Sequence, residues 1–448
     1  MTNKFYLLSL GCPKNEVDAE AMSAQLTQAG YEAVRDPQEA KFLLVNTCGF
    51  ISSAQEEAIS AILDLAEVKA ERQDRGQEAY LVVTGCLSQR FAKDIYQDLP
   101  EVDACLGTAE YQKILQTCKN LEEGSYEPHI PEGRGSLAHL QNLHPPVPGR
   151  SYAYLKISEG CSNACAFCAI PSIRGGQQSR PIEDLVREAS YYVDLGYKEL
   201  ILVAQDTTRY GSDLYGKNSL VDLLQALLAV RGMVPLRLMY VYGDAFSDDL
   251  IDLIAREEKI LPYIDLPIQH ASNKILTAMR RRESQEDMRA LIQKLRARIP
   301  KLVLRSTVMV GFPGESEADF EELLSFIQEI RFDRLGCFIF SPEEGTLAAR
   351  LPDRVEADIA QARYDKVMAS QAEISLAANQ ARLGEICQVI IEGTSEEGPY
   401  FVGRSYAEAP DIDPEILVLA QDPDLAPGQV RKCKIVDADT YSLTAISL

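Results

Sequence analysis

Three cysteines fall within eight residues in Gly160-Cys161-Ser162-Asn163-Ala164-Cys165-Ala166-Phe167-Cys168. Thiolates at this spacing can wrap one face of a four-iron four-sulfur cluster and leave the fourth iron without a protein ligand, open to substrate. A structural zinc loop is the plainer alternative, although zinc ordinarily takes a fourth protein ligand close by. A second set is dispersed: Gly11-Cys12, Cys48-Gly49 and Gly85-Cys86 each follow an apolar run. They stand 36 and 38 positions apart, so only the fold can unite them. Taken singly, each reads as a small buried hydrophobe. Three cysteines at three strand ends of an open α/β sheet instead converge where such sheets hold ligands, and a second cluster requires that convergence. Cys105, Cys118, Cys337, Cys387 and Cys433 lie in or beside strand and helix patterns and are read as packing residues.

The elements that must position these thiols alternate in kind. Within residues 1–118, FYLLSL, FLLVNTC and YLVVTGC read as strands. Helical stretches separate them, the first from Glu16 to Gly30, which is the grammar of an open parallel sheet. Ser53 and Glu56 predict a capping box for the second helix. Periodicity fades over 119–150, and the prolines of Asn142–Gly149 predict an extended linker. From Tyr152 to about Phe340 six β-then-α cycles follow, with strands at YLKIS, ELILVAQ, LRLMYVY, YIDLPIQ, LVLRSTVMV and RLGCFIF. Right-handed crossovers curl six such units into a partial (β/α)6 barrel with a side opening. Pro181 and Gly196 punctuate one of its helices. Beyond Arg382 short strands predict a small β-barrel. The expected fold class is α/β throughout the first two modules.

Composition narrows the partners. Lys and Arg number 45 against 67 Asp and Glu, a net −22, which opposes an electrostatic grip on nucleic acid or anionic lipid and suits a basic partner. No uncharged apolar run nears the roughly 20 residues of a membrane span, and the opening MTNKFYLLSLGCPKN lacks a cleavage site. A soluble, cytoplasmic protein with no membrane association is expected, and oxygen-labile clusters need that reducing compartment.

With an aromatic before its last cysteine and a barrel strand before its first, the CxxxCxxC segment resembles the radical S-adenosylmethionine superfamily. The resemblance implies that the open iron chelates S-adenosylmethionine and that an electron cleaves it to methionine and a 5′-deoxyadenosyl radical. The three modules together resemble the methylthiotransferase family. They comprise an N-terminal methylthiotransferase α/β domain (1–118), a linker (119–150), a radical S-adenosylmethionine barrel (151–380) and a TRAM-like, OB-like β-barrel (381–448). This implies two four-iron four-sulfur clusters, on Cys12, Cys48 and Cys86 and on Cys161, Cys165 and Cys168. One S-adenosylmethionine gives the radical and another the methyl group.

The wording SLGCPKN with Val17-Asp18-Ala19-Glu20, CAFCAIPSIRG at 165–175 and DLPIQHAS at 265–272 resembles a particular branch. That branch adds methylthio at the β-carbon of an aspartate in small-subunit ribosomal protein twelve. Residues 381–448 carry five Lys and Arg against twelve Asp and Glu, a net −7. Such a surface suits a basic ribosomal protein, free or in the subunit, and makes direct RNA binding secondary. An electron donor and a sulfur donor are further implied partners. Strand ends of the barrel offer Gln205, Asp206, Gln269, His270, Thr307, Gly311 and Gly314 as S-adenosylmethionine contacts; Phe167 would present its backbone to the adenine by family analogy. An adenosine of transfer RNA is the alternative substrate, and a non-catalytic iron–sulfur or zinc module the alternative of another class.

Overall fold

Apolar runs buried on both faces form parallel strands, and the N-terminal sheet is built of them. The computed structural model describes residues 3–141, 147, 149–396, 398–420 and 424–448; most of the predicted Asn142–Gly149 linker lies outside them. Strands Lys4–Ser9 (β1), Glu32–Ala33 (β2), Phe42–Thr47 (β3), Tyr80–Gly85 (β4) and Ala104–Leu106 (β5) pair in parallel in the order β2-β1-β3-β4-β5. Helices Pro13–Gln28 (α1), Ser52–Asp74 (α2), Cys86–Asp98 (α3) and Ile114–Glu122 (α4) accompany it. The two-residue period of the strands divides the core: Phe42, Leu44 and Val82 pack with Met22, Leu26 and Ile114. Leu43, Val45, Leu81 and Val83 pack with Ile62, Leu65 and Ile95 in a second cluster.

Two predicted helix starts are corrected. The first helix begins at Pro13, with Cys12 as its N-cap, because proline suits a first helical position. The capping box at Ser53 and Glu56 does not form. Ile51 takes the N-cap with extended φ −132° and ψ 158°, so Ser53 already lies inside the first turn, and no side chain caps this end.

Strand Tyr152–Lys156 (β6) leads into a short antiparallel pair, Ser158–Glu159 (β7) with Gln178–Ser179 (β8). Helix Ile170–Arg174 (α5) lies between those two, and Ile182–Asp194 (α6) follows with Pro181 as its N-cap. Strands Glu199–Val203 (β9), Leu236–Leu238 (β10), Ile260–Asp265 (β11), Val303–Val310 (β12) and Arg334–Ile339 (β13) complete a six-stranded sheet ordered β13-β12-β11-β10-β9-β6. The sheet has two edges, as a partial barrel does. Strands Ile386–Thr394 (β14), Tyr400–Arg404 (β15), Ile416–Leu419 (β16), Val430–Ala438 (β17) and Leu443–Ser447 (β18) form a closed barrel in the order β14-β15-β16-β18-β17, filled by Val389, Ile391, Val418, Ile435 and Ala445.

The chain divides into two compact units. One takes Met1–Pro145, Lys156–Arg180 and Ser341–Ala349, and the other Pro146–Leu155, Pro181–Phe340 and Arg350–Leu448. The loop carrying Cys161, Cys165 and Cys168 thus belongs with the N-terminal sheet. In the second unit Glu199 of β9 binds Arg237 at 2.7 Å and also pairs with Arg404 of β15, while Tyr263 donates to Asp413 at 2.5 Å. Among the described residues no helix is long and apolar enough to cross a membrane.

Candidate metal centre

Glycines let three strand ends of the first unit close on one another. Gly11 has φ +93°, and a Cβ there would stand 2.6 Å from the Cys48 Cβ and 3.2 Å from its Sγ. A Cβ on Gly49 would stand 2.8 Å from Leu87 Cα, and one on Gly85 2.5 Å from the Thr47 carbonyl oxygen. Cys12, Cys48 and Cys86 therefore meet in a cradle that side chains would fill.

Burial, joined by the neighbouring Cys86 and Cys12 thiols, pushes the Cys48 thiol up to about 12. Burial raises Cys86 too, against the pull of Arg174. Cys12 moves the other way: burial opposes ionisation, yet Lys14, Arg174 and the Asn15 and Lys14 amides lower it, as a helix N-terminus favours a thiolate. A cation-bearing group that binds thiolates fits this donor set, because three crowded thiols cannot all ionise without one. Among the described residues no three His, Cys, Asp or Glu side chains close on the common point of a single metal ion.

Gly85 is the most constrained of the three glycines, with φ 100° and ψ −151°. Only glycine populates that region freely, and other residues lose about 1–3 kcal/mol there. Gly85→Ala is expected to lower the thermal midpoint of the protein, read by unfolding scans.

The second cysteine set is held by the same unit. Gly160 has φ +73°, and a Cβ there would lie 2.3 Å from the Gly176 oxygen. Cys161 N donates to Gly175 O at 3.0 Å and Cys168 N to Cys165 O at 3.2 Å, while Asn163 N donates to Cys161 Sγ at 3.4 Å. Burial first, then Cys165 and Cys161, push the Cys168 thiol up to about 12 against the Ile170 amide. The two sets meet in the core: Cys86 packs with Ala169 and Ile173 of the segment behind Cys168. Arg90 Nη1 braces the Cys48 loop, donating to Gly49 O at 2.6 Å and to Glu343 at 2.9 Å.

Beneath the thiols lies a network that the sequence reading missed. Asp18, Lys156, Glu159, Arg174 and Asn15 are all buried. Lys156 Nζ donates to Asp18 at 2.6 Å and to Glu159 at 2.5 Å. Arg174 Nη1 donates to Asp18 at 3.1 Å and to Glu159 at 2.7 Å, and its Nη2 donates to Asn15 Oδ1. Asn15 Nδ2 in turn donates to Leu10 O at 3.1 Å and Thr47 O at 2.9 Å. Burial opposes ionisation of Asp18 most, but Lys156, Arg174 and His139 together hold its carboxyl far below the usual carboxylate range. Burial holds His139 below its ordinary value, with its Nε2 2.7 Å from Asp18.

The remaining candidates divide between the units. Phe167 lies half-buried in the first. In the second, Gln205, Asp206, Gln269 and Gly311 stand just beyond the carboxyl ends of β9, β11 and β12, whereas Thr307 lies inside β12. Gln269 and Thr307 are brought together: Gln269, at φ 69°, donates its N to Thr307 O at 2.9 Å, and its own oxygen accepts from Met309 N at 2.7 Å. Asp206 accepts from Thr208 Oγ1 at 2.7 Å and Arg209 N at 3.3 Å. Gly311 meets Ala360, whose Cβ would lie 2.8 Å from an added one. His270 Nδ1 accepts from Ser272 N at 2.9 Å, and burial pushes the ring down to about 3, so it is neutral.

Residues 4–107 match the "Uncharacterized protein family UPF0004", 155–327 the Radical SAM superfamily and 383–447 the TRAM domain. The chain is 44% identical over 455 residues to the ribosomal protein uS12 methylthiotransferase RimO of Trichlorobacter lovleyi, across 99% of this chain and 97% of that protein. It is 42% identical to the protein of the same name from Acetivibrio thermocellus, across 99% and 98%. Among solved structures it resembles the radical S-adenosylmethionine methyltransferase TsrM from Kitasatospora setae, with tryptophan substrate and aza-SAM bound. That match has a TM-score of 0.57 at 12% identity over 83% of this chain and 89% of that one. A second TsrM structure, with cobalamin and a [4Fe-4S] cluster, gives 0.56 at 13% over 78% and 74%. Likeness at such identity speaks for the fold alone.

Proposed function

Because the chain belongs to the RimO family of ribosomal protein uS12 methylthiotransferases and is a radical S-adenosylmethionine enzyme, we propose that it converts a β-carbon C–H bond of a uS12 aspartate into C–S–CH3. The observation that carries this reading is the assembly of two cysteine triads in one compact unit around glycines that leave room for nothing larger. Cys161, Cys165 and Cys168 hold one four-iron four-sulfur cluster in this proposal, and Cys12, Cys48 and Cys86 another. When bound, the first supplies the electron that cleaves one S-adenosylmethionine and the second relays sulfur, with the methyl group coming from another S-adenosylmethionine.

This chain's residues supply the rest. Gly11, Gly49 and Gly85 admit the second cluster's ligands, and Asn15 and Arg90 fix the loops carrying Cys12 and Cys48. Phe167, Gln205, Asp206, Gln269, Thr307 and Gly311 are the proposed S-adenosylmethionine contacts, with Gln269 and Thr307 acting as one backbone-linked pair. The proposed domain limits are 1–118, 151–380 and 381–448 around the linker 119–150, and the proposed compartment is the cytoplasm.

Support for uS12 as substrate comes from the relatives rather than from the acidic C-terminal module. Some of its twelve acids are engaged within the chain: Glu408 is buried against Arg382 and Arg334, Asp413 accepts from Tyr263 at 2.5 Å, and Asp411, itself exposed, accepts from Tyr152 at 2.6 Å and Tyr154 at 3.0 Å. Glu397 lies outside the described residues. In anaerobic turnover of the reconstituted protein with S-adenosylmethionine, sulfide and reductant, uS12 and unmodified transfer RNA would be offered together. Mass spectrometry should find methylthio on a uS12 aspartate; methylthio on adenosine instead would overturn the substrate assignment.

A further inference from the structure

We infer that Arg174 is a positioning residue whose buried guanidinium sets the redox potential of the cluster on Cys12, Cys48 and Cys86; this rests on the two-cluster reading above. Four charges lie buried beneath the thiols: Asp18, Glu159, Lys156 and Arg174. Lys156 binds only the two carboxylates in the contacts described, at 2.6 and 2.5 Å. Arg174 faces both ways. One nitrogen meets Glu159 at 2.7 Å and Asp18 at 3.1 Å, and the other donates to Asn15 Oδ1, the atom that lies 3.8 Å from Cys86 Sγ.

Asn15 carries that contact further. Its amide nitrogen binds the Leu10 oxygen, two residues before Cys12, and the Thr47 oxygen, one before Cys48. Arg174 thus touches, directly or through one side chain, the backbone or sulfur of all three N-terminal cysteine loops. On its other side Glu159 accepts from Gly160 N at 2.9 Å, immediately before Cys161.

A cluster held by three thiolates is anionic and gains a further negative charge on reduction. Its potential follows net charge and hydrogen bonding in the shell around it. At low dielectric, a fixed cation stabilises the reduced form more than the oxidised one. Arg174 therefore raises the potential, and Glu159, by drawing on the same guanidinium, lowers it.

The test uses full-length protein in which Cys161, Cys165 and Cys168 are all Ala, so that only the N-terminal cysteines can be reconstituted, with iron analysis and a redox titration followed by electron paramagnetic resonance. Arg174→Met should shift the midpoint negative, Arg174→Lys should leave it near the starting value, and Glu159→Gln should shift it positive. Opposite signs from two members of one network are something that loosened packing does not produce. Should Arg174→Met fail to fold, because it strands two buried carboxylates on one lysine, the sign of the Glu159→Gln shift decides the question. An unmoved midpoint in Arg174→Met, or a zero or negative shift in Glu159→Gln, overturns the role of Arg174 while leaving the cluster in place. Failure of the starting protein to take up iron overturns the two-cluster reading and this inference with it.

Discussion

Cys165→Ala in the reconstituted full-length protein is expected to bring 5′-deoxyadenosine formation down to the no-enzyme background. That is a loss of at least about 10³-fold, since cleavage of S-adenosylmethionine depends on a group no side chain can replace. The iron content should fall by about four atoms per chain, one cluster's worth, with the other cluster's spectrum retained. Cys86→Ala should do the reverse: 5′-deoxyadenosine still forms, but no methylthio product appears, because sulfur delivery is what fails. The contrast matters because Cys86 packs against Ala169 and Ile173 in one core cluster, so a purely structural lesion at either site would spread to both activities. Persistent cleavage in Cys165→Ala would remove that cysteine from the ligand set.

Much of this layout could be read from the sequence, because burial on both faces writes itself as apolar runs. Each strand of the central sheet overlaps one of the six apolar runs, though β6 begins two residues before YLKIS and β11 three before YIDLPIQ, and the closed barrel lies beyond Arg382 as expected. The placement of Cys12, Cys48 and Cys86 at or just past strand ends was legible for the same reason, each following an apolar run and having a glycine beside it. An element with little core to fill was not: β2 has two residues, both exposed. The network under the thiols was hidden for a different reason. Lys156 sits inside YLKIS, where alternation suggests a solvent-facing lysine, and its partner Asp18 is 138 positions away. No local period encodes a pairing over that distance. Charge counting failed in a related way, since a net −7 over 381–448 says nothing of which carboxylates the fold has already turned inward, as it has Glu408.

Lys156→Met tests how far that hidden network holds the first unit together. The substitution keeps the length and shape of the stem but leaves Arg174 as the one fixed cation for Asp18 and Glu159, with His139 held towards its neutral form by burial, so one negative charge is buried without a compensating cation. Breaking a buried pair from one side costs about 3–5 kcal/mol, which should appear at neutral pH as a lower urea midpoint for the metal-free protein. Lys156→Met combined with Asp18→Asn leaves Glu159 with Arg174, a balanced pair, and should recover most of the loss; a double variant no better than the single one would assign the damage to packing. The pH dependence has a definite sign. Lys156 and Arg174 hold the Asp18 carboxyl below its ordinary 3.8 in the folded state, against the opposing effect of burial. Its contribution in the wild type is therefore complete above about pH 5 and is lost as pH falls below the unfolded value towards the folded one. In Lys156→Met the folded value rises, so acidification lets Asp18 take up a proton and relieves the stranded charge. The gap between wild type and variant should accordingly narrow as pH falls from 7 to about 4, and a gap that widened would place the missing charge somewhere other than beneath the cysteines.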